Sequence, residues 1–105
     1  MAALQDQPAY IIKMRAKPGH GDKLFALATE GMYKSGSSDR FIMLREDADP
    51  DVLWNIEVFR SDEAKAAYEN GPLADELRDE IIEHLAEMVM RVEAHPYSAL
   101  PADPA

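Results

Sequence analysis

The stretch that decides the fold reads Trp54-Asn55-Ile56-Glu57-Val58-Phe59-Arg60-Ser61-Asp62-Glu63-Ala64. Its first part is rich in β-branched and aromatic residues, which favour a strand. Ser61 is a good helix N-cap, and the two acidic residues after it lie where carboxylates stabilise the positive end of a helix dipole. The sequence therefore predicts a strand that passes directly into a helix and forms one wall of a small pocket.

The predicted strand has two different faces, because successive side chains of a strand point to opposite sides. One face carries Leu53, Asn55, Glu57 and Phe59, and the other carries Trp54, Ile56 and Val58. Both faces hold large apolar groups, so both must be covered. We predict that helices cover the first face and that a second copy of the chain covers the other, in a homodimer whose sheets pack face to face.

The same reasoning, extended outward, predicts the order β-α-β-β-α-β. We expect strands at residues 9–15, 40–46, 52–60 and 88–94, a helix from Asp22 to near Met32, and a second helix that starts after Ser61 and is interrupted at Gly71-Pro72. Beyond the interruption, an apolar helical stripe is predicted at Leu73, Leu77, Ile81, His84 and Met88. This order predicts an α+β fold, a ferredoxin-like sandwich with a four-stranded antiparallel sheet. Residues 1–105 are predicted to be a single domain with its core at 9–94 and extended or flexible tails at 1–8 and 96–105.

Composition limits the partners of this domain. The chain has 105 residues, 11 Lys and Arg against 20 Asp and Glu, and a net charge of −9. Nucleic acid and membrane surfaces are not expected as partners, because both are bound through clustered basic residues. The chain has no cysteine, and no two histidines have the spacing of metal ligands, so no metal is expected. We expect a cytoplasmic protein.

Two segments of the chain resemble the antibiotic biosynthesis monooxygenase family. They are Arg15-Ala16-Lys17-Pro18-Gly19 and Ile56 to Ala64, and the resemblance extends over about residues 9–94. It implies a dimeric α+β barrel with a pocket between the sheet and the helices of each subunit. Members of the family are associated with three activities: oxygenation of phenolic or quinol-like compounds without a cofactor, oxidative haem breakdown, and isomerisation of a phosphorylated sugar. Many other members have no known reaction.

The sequence departs from this family at two places. Many members have a histidine on the second helix where this chain has Tyr68, and the haem-degrading branch uses an asparagine on strand one where this chain has Ile11 and Ile12. Haem degradation is therefore not expected. We predict a cofactor-independent monooxygenase acting on a small aromatic, phenolic or quinol-type substrate. The alternatives are a non-catalytic ligand-binding or stress-associated dimer and a small-molecule isomerase.

Four residues are candidates for catalysis: His84, Tyr68, Asn55 and Glu57. His84 has a side-chain type suited to a general base, although a single histidine on an apolar stripe is also common in protein cores. Tyr68 can donate a hydrogen bond to an oxyanion or simply pack. Asn55 needs a partner if it is buried, and Glu57 is either a proton acceptor or the partner of Arg45 or Arg91 in an ion pair. Predicted substrate-binding residues are Phe59, Leu77 and Arg45.

Overall fold

A four-stranded antiparallel sheet is the centre of the protein in the computed structural model, which describes residues 3–100. The elements are a 3-10 turn at Leu4–Asp6, β1 (Ala9–Ala16), α1 (Gly21–Ser35), β2 (Ser38–Arg45), β3 (Val52–Phe59), α2 (Asp62–Glu69), α3 (Pro72–His84) and β4 (Leu85–Ala94). The strand order is β2-β3-β1-β4. The predicted ferredoxin-like α+β fold is therefore confirmed.

The covered face of β3 is the one that the alternation predicts, but the opposite face is only partly open. Leu53, Asn55, Glu57 and Phe59 are all buried. On the opposite face Ile56 is 37% exposed and Trp54 is half-buried, whereas Val58, which was predicted to need a second copy to cover it, is already buried within the chain at 4% exposed. On the buried side, Leu24 and Ala28 of α1 pack with Leu53 and with residues of β1. This face of the sheet is the one that the helices cover.

The opposite face of the sheet carries an apolar row that crosses all four strands. Ile42 of β2 lies opposite Ile56 of β3, which lies opposite Ile11 of β1, and Ile11 lies opposite Val92 of β4. Ile42 is 54% exposed and Val92 is 41% exposed. In the chain taken alone, this row of branched side chains faces solvent.

Helix α1 begins and ends differently from the prediction. The predicted N-cap, Asp22, lies inside the first turn, and the carboxylate that accepts from the local backbone belongs to Asp51. Its two oxygens accept from the backbone N–H of Gly19 at 3.0 Å and of Gly21 at 2.9 Å. These two hydrogen bonds hold the pKa of Asp51 below its usual value. The helix continues to Ser35, beyond Met32, and stops at Gly36, whose φ of 61° suits a residue without a side chain.

The predicted break between α2 and α3 is confirmed, but α3 is shorter than its apolar stripe indicates. Ser61 accepts a hydrogen bond from the Ala64 backbone N–H and Pro72 begins α3, as expected. The helix ends at His84, and Leu85 already pairs with Ala16 of β1. Met88 is therefore a strand residue, since pairing with β1 outweighs continuation of the helical stripe.

Gln7 packs against the domain, although residues 1–8 were predicted to be an extended or flexible tail. Gln7 is 4% exposed, and its Nε2 donates to the Phe59 carbonyl and to Asp39 Oδ2, both at 3.0 Å. Tyr97 and Leu100, in the described part of the C-terminal tail, are exposed; the remaining tail predictions, at residues 1–2 and 101–105, lie outside the described residues. Within residues 3–100, no helix has the length and apolar character needed to cross a membrane.

Candidate functional site

A cavity of about 360 Å³ lies between the sheet and the helices. Apolar side chains form most of its wall: Ile12, Met14, Ala28, Met32, Phe59, Ala74, Leu77, Ile81, Ile82, Leu85 and Met88. Ile82 and Met88, which are 55% and 45% exposed, mark where the cavity meets solvent. Its volume is within the range of small-molecule sites, about 300–1,000 Å³, and a mostly apolar lining with a few polar groups is typical of them.

Glu57 places a carboxyl group in the wall of this cavity. It is 4% exposed, and its Oε2 accepts a hydrogen bond of 2.8 Å from the Ser38 hydroxyl. Burial raises the pKa of Glu57, the hydrogen bond from Ser38 lowers it in part, and the nearby Glu69 raises it further. The predicted ion pair with Arg45 or Arg91 is not observed, because those side chains contact Asp22 and Glu69 instead. A carboxylate with a raised pKa is a stronger base than an ordinary one.

Asn55 lies on the same wall, two residues before Glu57. Alternation separates the two Cα atoms by about 6.5 Å, and both side chains point to the cavity side. The Asn55 Oδ1 atom is buried, and it accepts no hydrogen bond from any of residues 3–100. A buried acceptor without a partner costs about 1–3 kcal/mol. A ligand that brings a hydrogen-bond donor into the cavity would recover this free energy.

Tyr68 faces Asn55 and Glu57 from helix α2. Its ring packs against Phe59 with centroids 6.3 Å apart. Burial raises the pKa of the Tyr68 hydroxyl, and the charges of Glu57 and Glu69 raise it further. The hydroxyl therefore keeps its proton at neutral pH and is able to donate a hydrogen bond into the cavity.

A cluster of charged side chains surrounds Tyr10 at the edge of the cavity. The Tyr10 hydroxyl donates to Glu69 Oε2 at 2.9 Å, and Glu93 Oε1 lies 3.3 Å from the same oxygen. Arg91 and Lys65 lie over the Tyr10 ring at 4.3 and 4.7 Å from its centroid. Burial is the main reason why the pKa of Tyr10 is raised. The cluster links α2 to β1 and β4 by charge pairs and cation–π contacts.

Five of the seven predicted site residues line the cavity: Asn55, Glu57, Phe59, Tyr68 and Leu77. His84 and Arg45 do not. The His84 ring turns toward His20 because the helix ends there, and their Nδ1 atoms are 2.9 Å apart. Arg45 donates to Asp22 at 2.8 Å and to the Pro50 carbonyl at 2.9 Å. The structure therefore places both side chains outside this cavity.

Tyr10, Glu69 and Arg91 also line the cavity, and Tyr10 and Glu69 are not among the predicted site residues. Tyr10 shares a strand face with Ile12 and Met14, so alternation alone identifies it as a residue of the cavity side. Glu69 has no comparable signal, because it is one of many acidic residues on exposed helix surfaces. Among residues 3–100, no group of three or more histidine, cysteine or acidic side chains has the geometry of a metal site.

Comparison with known proteins identifies solved structures that have the same fold. No protein-family model matches the sequence, and no curated protein does. A solved structure from Chloroflexus aurantiacus J-10-fl, named as a "putative Antibiotic biosynthesis monooxygenase", superimposes with a TM-score of 0.81 at 26% sequence identity, over 92% of this chain and 99% of that one. The resemblance to the antibiotic biosynthesis monooxygenases is confirmed.

More distant structures share the fold of this chain. A second "putative antibiotic biosynthesis monooxygenase", from Nitrosomonas europaea, matches with a TM-score of 0.73 at 16% identity, over 98% of this chain and 100% of that one. A protein of unknown function from the same organism has a TM-score of 0.73 at 18% identity, over 96% of this chain and 100% of that one. At this level of identity the likeness concerns the fold alone.

Proposed function

We propose that this protein is a cofactor-independent monooxygenase that acts on a small aromatic compound of the phenol or quinol type. The observation that supports this proposal is the position of a buried carboxyl group, Glu57, in the wall of an apolar cavity. Apolar walls suit an aromatic ring, and Asn55 and Tyr68 supply polar atoms beside the base. The likeness to the Chloroflexus aurantiacus structure, which is named as a monooxygenase, supports the same class of reaction.

In the proposed reaction the Glu57 carboxylate takes a proton from a hydroxyl or an activated methylene of the substrate. Tyr68 donates a hydrogen bond to the resulting anion, which is thereby stabilised. The Asn55 Oδ1 atom accepts a hydrogen bond from a hydroxyl of the substrate and so positions it. The anion passes one electron to O₂, and the radical and superoxide combine to form a C–O bond. The peroxide regains the proton and loses water, so that CH₂ and O₂ become C=O and H₂O. The substrate loses four electrons and O₂ accepts four.

Oxygen uptake with a panel of anthrones and hydroquinones tests this proposal. We expect uptake by the wild type that exceeds the uncatalysed rate, and incorporation of one ¹⁸O atom from labelled O₂ into the product. The Asn55→Ala, Tyr68→Phe double variant should lose at least tenfold in rate, because the substrate then loses the acceptor that positions it and the donor that stabilises its anion. Equal uptake by the wild type and the double variant would contradict the proposal.

The alternative functions make different demands on the cavity. A phosphorylated sugar needs uncompensated positive charge, but the two arginines that line the cavity have acidic partners: Arg78 contacts Asp75, and Arg91 lies 3.5 Å from Glu69. An isomerase of such sugars is therefore less well supported. A non-catalytic ligand-binding protein is consistent with the same cavity, and tight binding of the test compounds without oxygen uptake would favour it. A cytoplasmic location stays a prediction.

We propose further that the protein is a homodimer that buries the apolar row Ile42, Ile56, Ile11 and Val92. Branched apolar side chains on a sheet face are stabilised when a second apolar surface removes them from water. Trp54 belongs to the same face, where its Nε1 donates to Glu46 at 2.8 Å and Lys13 lies over its ring. A second sheet placed on this row gives the dimeric barrel that the family resemblance implies.

Ile56→Lys should convert the dimer into a monomer, because two lysines would meet near the centre of the interface without a partner. Sedimentation velocity at micromolar concentration measures the change. Tyr33→Lys is the matched control, since Tyr33 is 82% exposed on helix α1 and lies away from the sheet. A wild type that is monomeric in this experiment would contradict the dimer.

A further inference from the structure

Ser38 lies between the buried Glu57 carboxyl and the protein surface. Its hydroxyl donates to Glu57 Oε2 at 2.8 Å. Glu57 is 4% exposed, whereas Ser38 is partly exposed. Ser38 also lines a surface pocket of about 190 Å³, the β2 pocket, together with Met32, Tyr33, Asp39, Arg40 and Phe41. Because a water molecule occupies about 30 Å³ in the liquid, this pocket has room for several.

The β2 pocket and the mouth of the cavity lie at opposite edges of the sheet. In the strand order β2-β3-β1-β4, Met88 at the mouth belongs to β4 and Ser38 belongs to β2. Glu57 of β3 is adjacent to β2 but lies two strands from β4, about 9–10 Å at the usual strand spacing. A substrate that fills the apolar cavity therefore separates Glu57 from solvent at the mouth, but not at the β2 edge.

A β-bulge directs Ser38 toward Glu57. The register between β2 and β3 shifts between Ser38 and Arg40, so that Asp39 is an additional residue of β2. Ser38 pairs with Phe59 and shares its covered face. From this position the Ser38 hydroxyl reaches the long side chain of Glu57, its diagonal neighbour on β3.

Hydrogen bonds hold the residues on either side of Ser38. The Ser37 carbonyl accepts from the Arg60 backbone N–H at 3.0 Å, and Asp39 Oδ2 accepts from Gln7 Nε2 at 3.0 Å. The backbone of Ser38 is thereby fixed, so little further conformational entropy is lost when its hydroxyl contacts the base.

We propose that the Ser38 hydroxyl carries the Glu57 proton to water in the β2 pocket while substrate occupies the cavity. The O–H bond of the Glu57 carboxyl breaks as its proton passes to Ser38 Oγ, and the original hydroxyl proton of Ser38 passes to the water. No electrons are transferred, and Ser38 ends with one hydroxyl proton, as it began. This inference rests on the proposed function, in which Glu57 is the base, and it makes Ser38 a positioning residue that acts through Glu57.

The route is needed because burial raises the pKa of Glu57. Part of the protein therefore binds substrate with this carboxyl protonated, and such a complex is inactive until Glu57 loses its proton. The other titratable groups near Glu57 are Tyr68 and Glu69, both on α2. Tyr68 keeps its proton at neutral pH, and Glu69 accepts from the Tyr10 hydroxyl. Ser38 is the neighbour that joins the carboxyl to the β2 pocket.

Hydrogen exchange in the absence of O₂ tests the route separately from oxygenation. The probe is anthrone with two deuterium atoms on its methylene carbon, and mass spectrometry follows their replacement by hydrogen from water. Each exchange requires Glu57 to take a deuteron and release it to solvent before a proton returns to carbon. We expect exchange by the wild type above the uncatalysed rate, and exchange about tenfold slower by Ser38→Ala.

Two variants and the base itself give the controls. Ser38→Thr keeps the hydroxyl and should exchange like the wild type, as should Ser37→Ala, which removes a neighbouring hydroxyl that contacts Ser35 instead. Exchange by Ser38→Ala at the wild-type rate would overturn the proton route and leave the oxygenase proposal standing. Exchange that is unchanged in Glu57→Gln, or absent in the wild type, would contradict Glu57 as the base and with it the proposed function.

A second measurement needs no substrate. In a ¹³C NMR titration of the side-chain carboxyl groups, Ser38→Ala should raise the pKa of Glu57 above its wild-type value, because the hydrogen bond from Ser38 lowers that pKa. Ser38→Thr should restore the wild-type value. Equal pKa values of Glu57 in the wild type and Ser38→Ala would show that the contact does not form in solution and would overturn the proposal.

Discussion

Glu57→Gln is expected to lower kcat for oxygenation by about 10²–10⁴-fold, the usual contribution of a positioned general base. Glutamine has nearly the same shape, and its oxygen can still accept the hydrogen bond from Ser38. The substitution therefore removes the basic group with little change in packing. Steady-state oxygen uptake measures the loss, and Glu63→Gln, an exposed position on α2, controls for the change in net charge.

The pH dependence of the wild type should follow the same group. Burial raises the pKa of Glu57, and the base is active only when it has lost its proton. The rate should therefore rise with pH through this raised pKa, above the range of an ordinary glutamate. Glu57→Gln should lose this limb of the profile. A wild-type rate that is independent of pH from 4 to 8 would contradict the role of Glu57.

The stability of the folded protein should fall over the pH range in which the rate rises. Because the folded protein holds the Glu57 proton to higher pH than the unfolded chain does, the wild type loses stability as pH rises from the unfolded pKa to the raised folded pKa. Glu57→Gln lacks this loss. It should therefore melt at a higher temperature than the wild type at pH 7, and the difference should vanish below the unfolded pKa. A base that costs stability and supports the reaction is typical of an active site.

The fold was predictable because its signals are local. Alternation along β3 assigned Asn55, Glu57 and Phe59 to the covered face, and the capping residue Ser61 located the start of α2. Such patterns depend on residues close together in the sequence. A period of two residues in a strand, or of 3.6 residues in a helix, decides on which face of the element a side chain lies. For this reason five of the seven predicted site residues lie in one cavity.

The remaining positions differ from the prediction because distant residues decide them. The stripe through His84 and Met88 continues a helical pattern, but pairing of Leu85 with Ala16 ends the helix. Arg45 belongs to the covered face by its position in β2, but Asp22 holds its guanidinium at the edge of the fold. Neither the hydrogen-bonding partner of a side chain nor the position where a strand starts to pair follows from periodicity alone.

Phe59→Ala should have the largest effect on stability. The ring is 0% exposed and meets Tyr10 edge-to-face with centroids 5.7 Å apart. Truncation of a buried phenylalanine to alanine costs about 3–5 kcal/mol, which is a large share of the 5–15 kcal/mol of a typical domain. We expect the lower end, about 3 kcal/mol, because the lost volume joins a cavity that already exists. Urea unfolding at a fixed protein concentration measures this free energy.

Two controls separate the role of the Phe59 ring from a general loss of aromatic surface. Phe59→Leu keeps much of the apolar volume, so it should cost less than half as much free energy as Phe59→Ala. Tyr33→Ala removes an aromatic ring that is 82% exposed and should change the stability by less than about 0.5 kcal/mol. If Phe59→Ala were as stable as Tyr33→Ala, Phe59 would not support the cavity wall. Other residues would then have to provide the packing between β3 and α2 that holds Tyr68 beside Glu57.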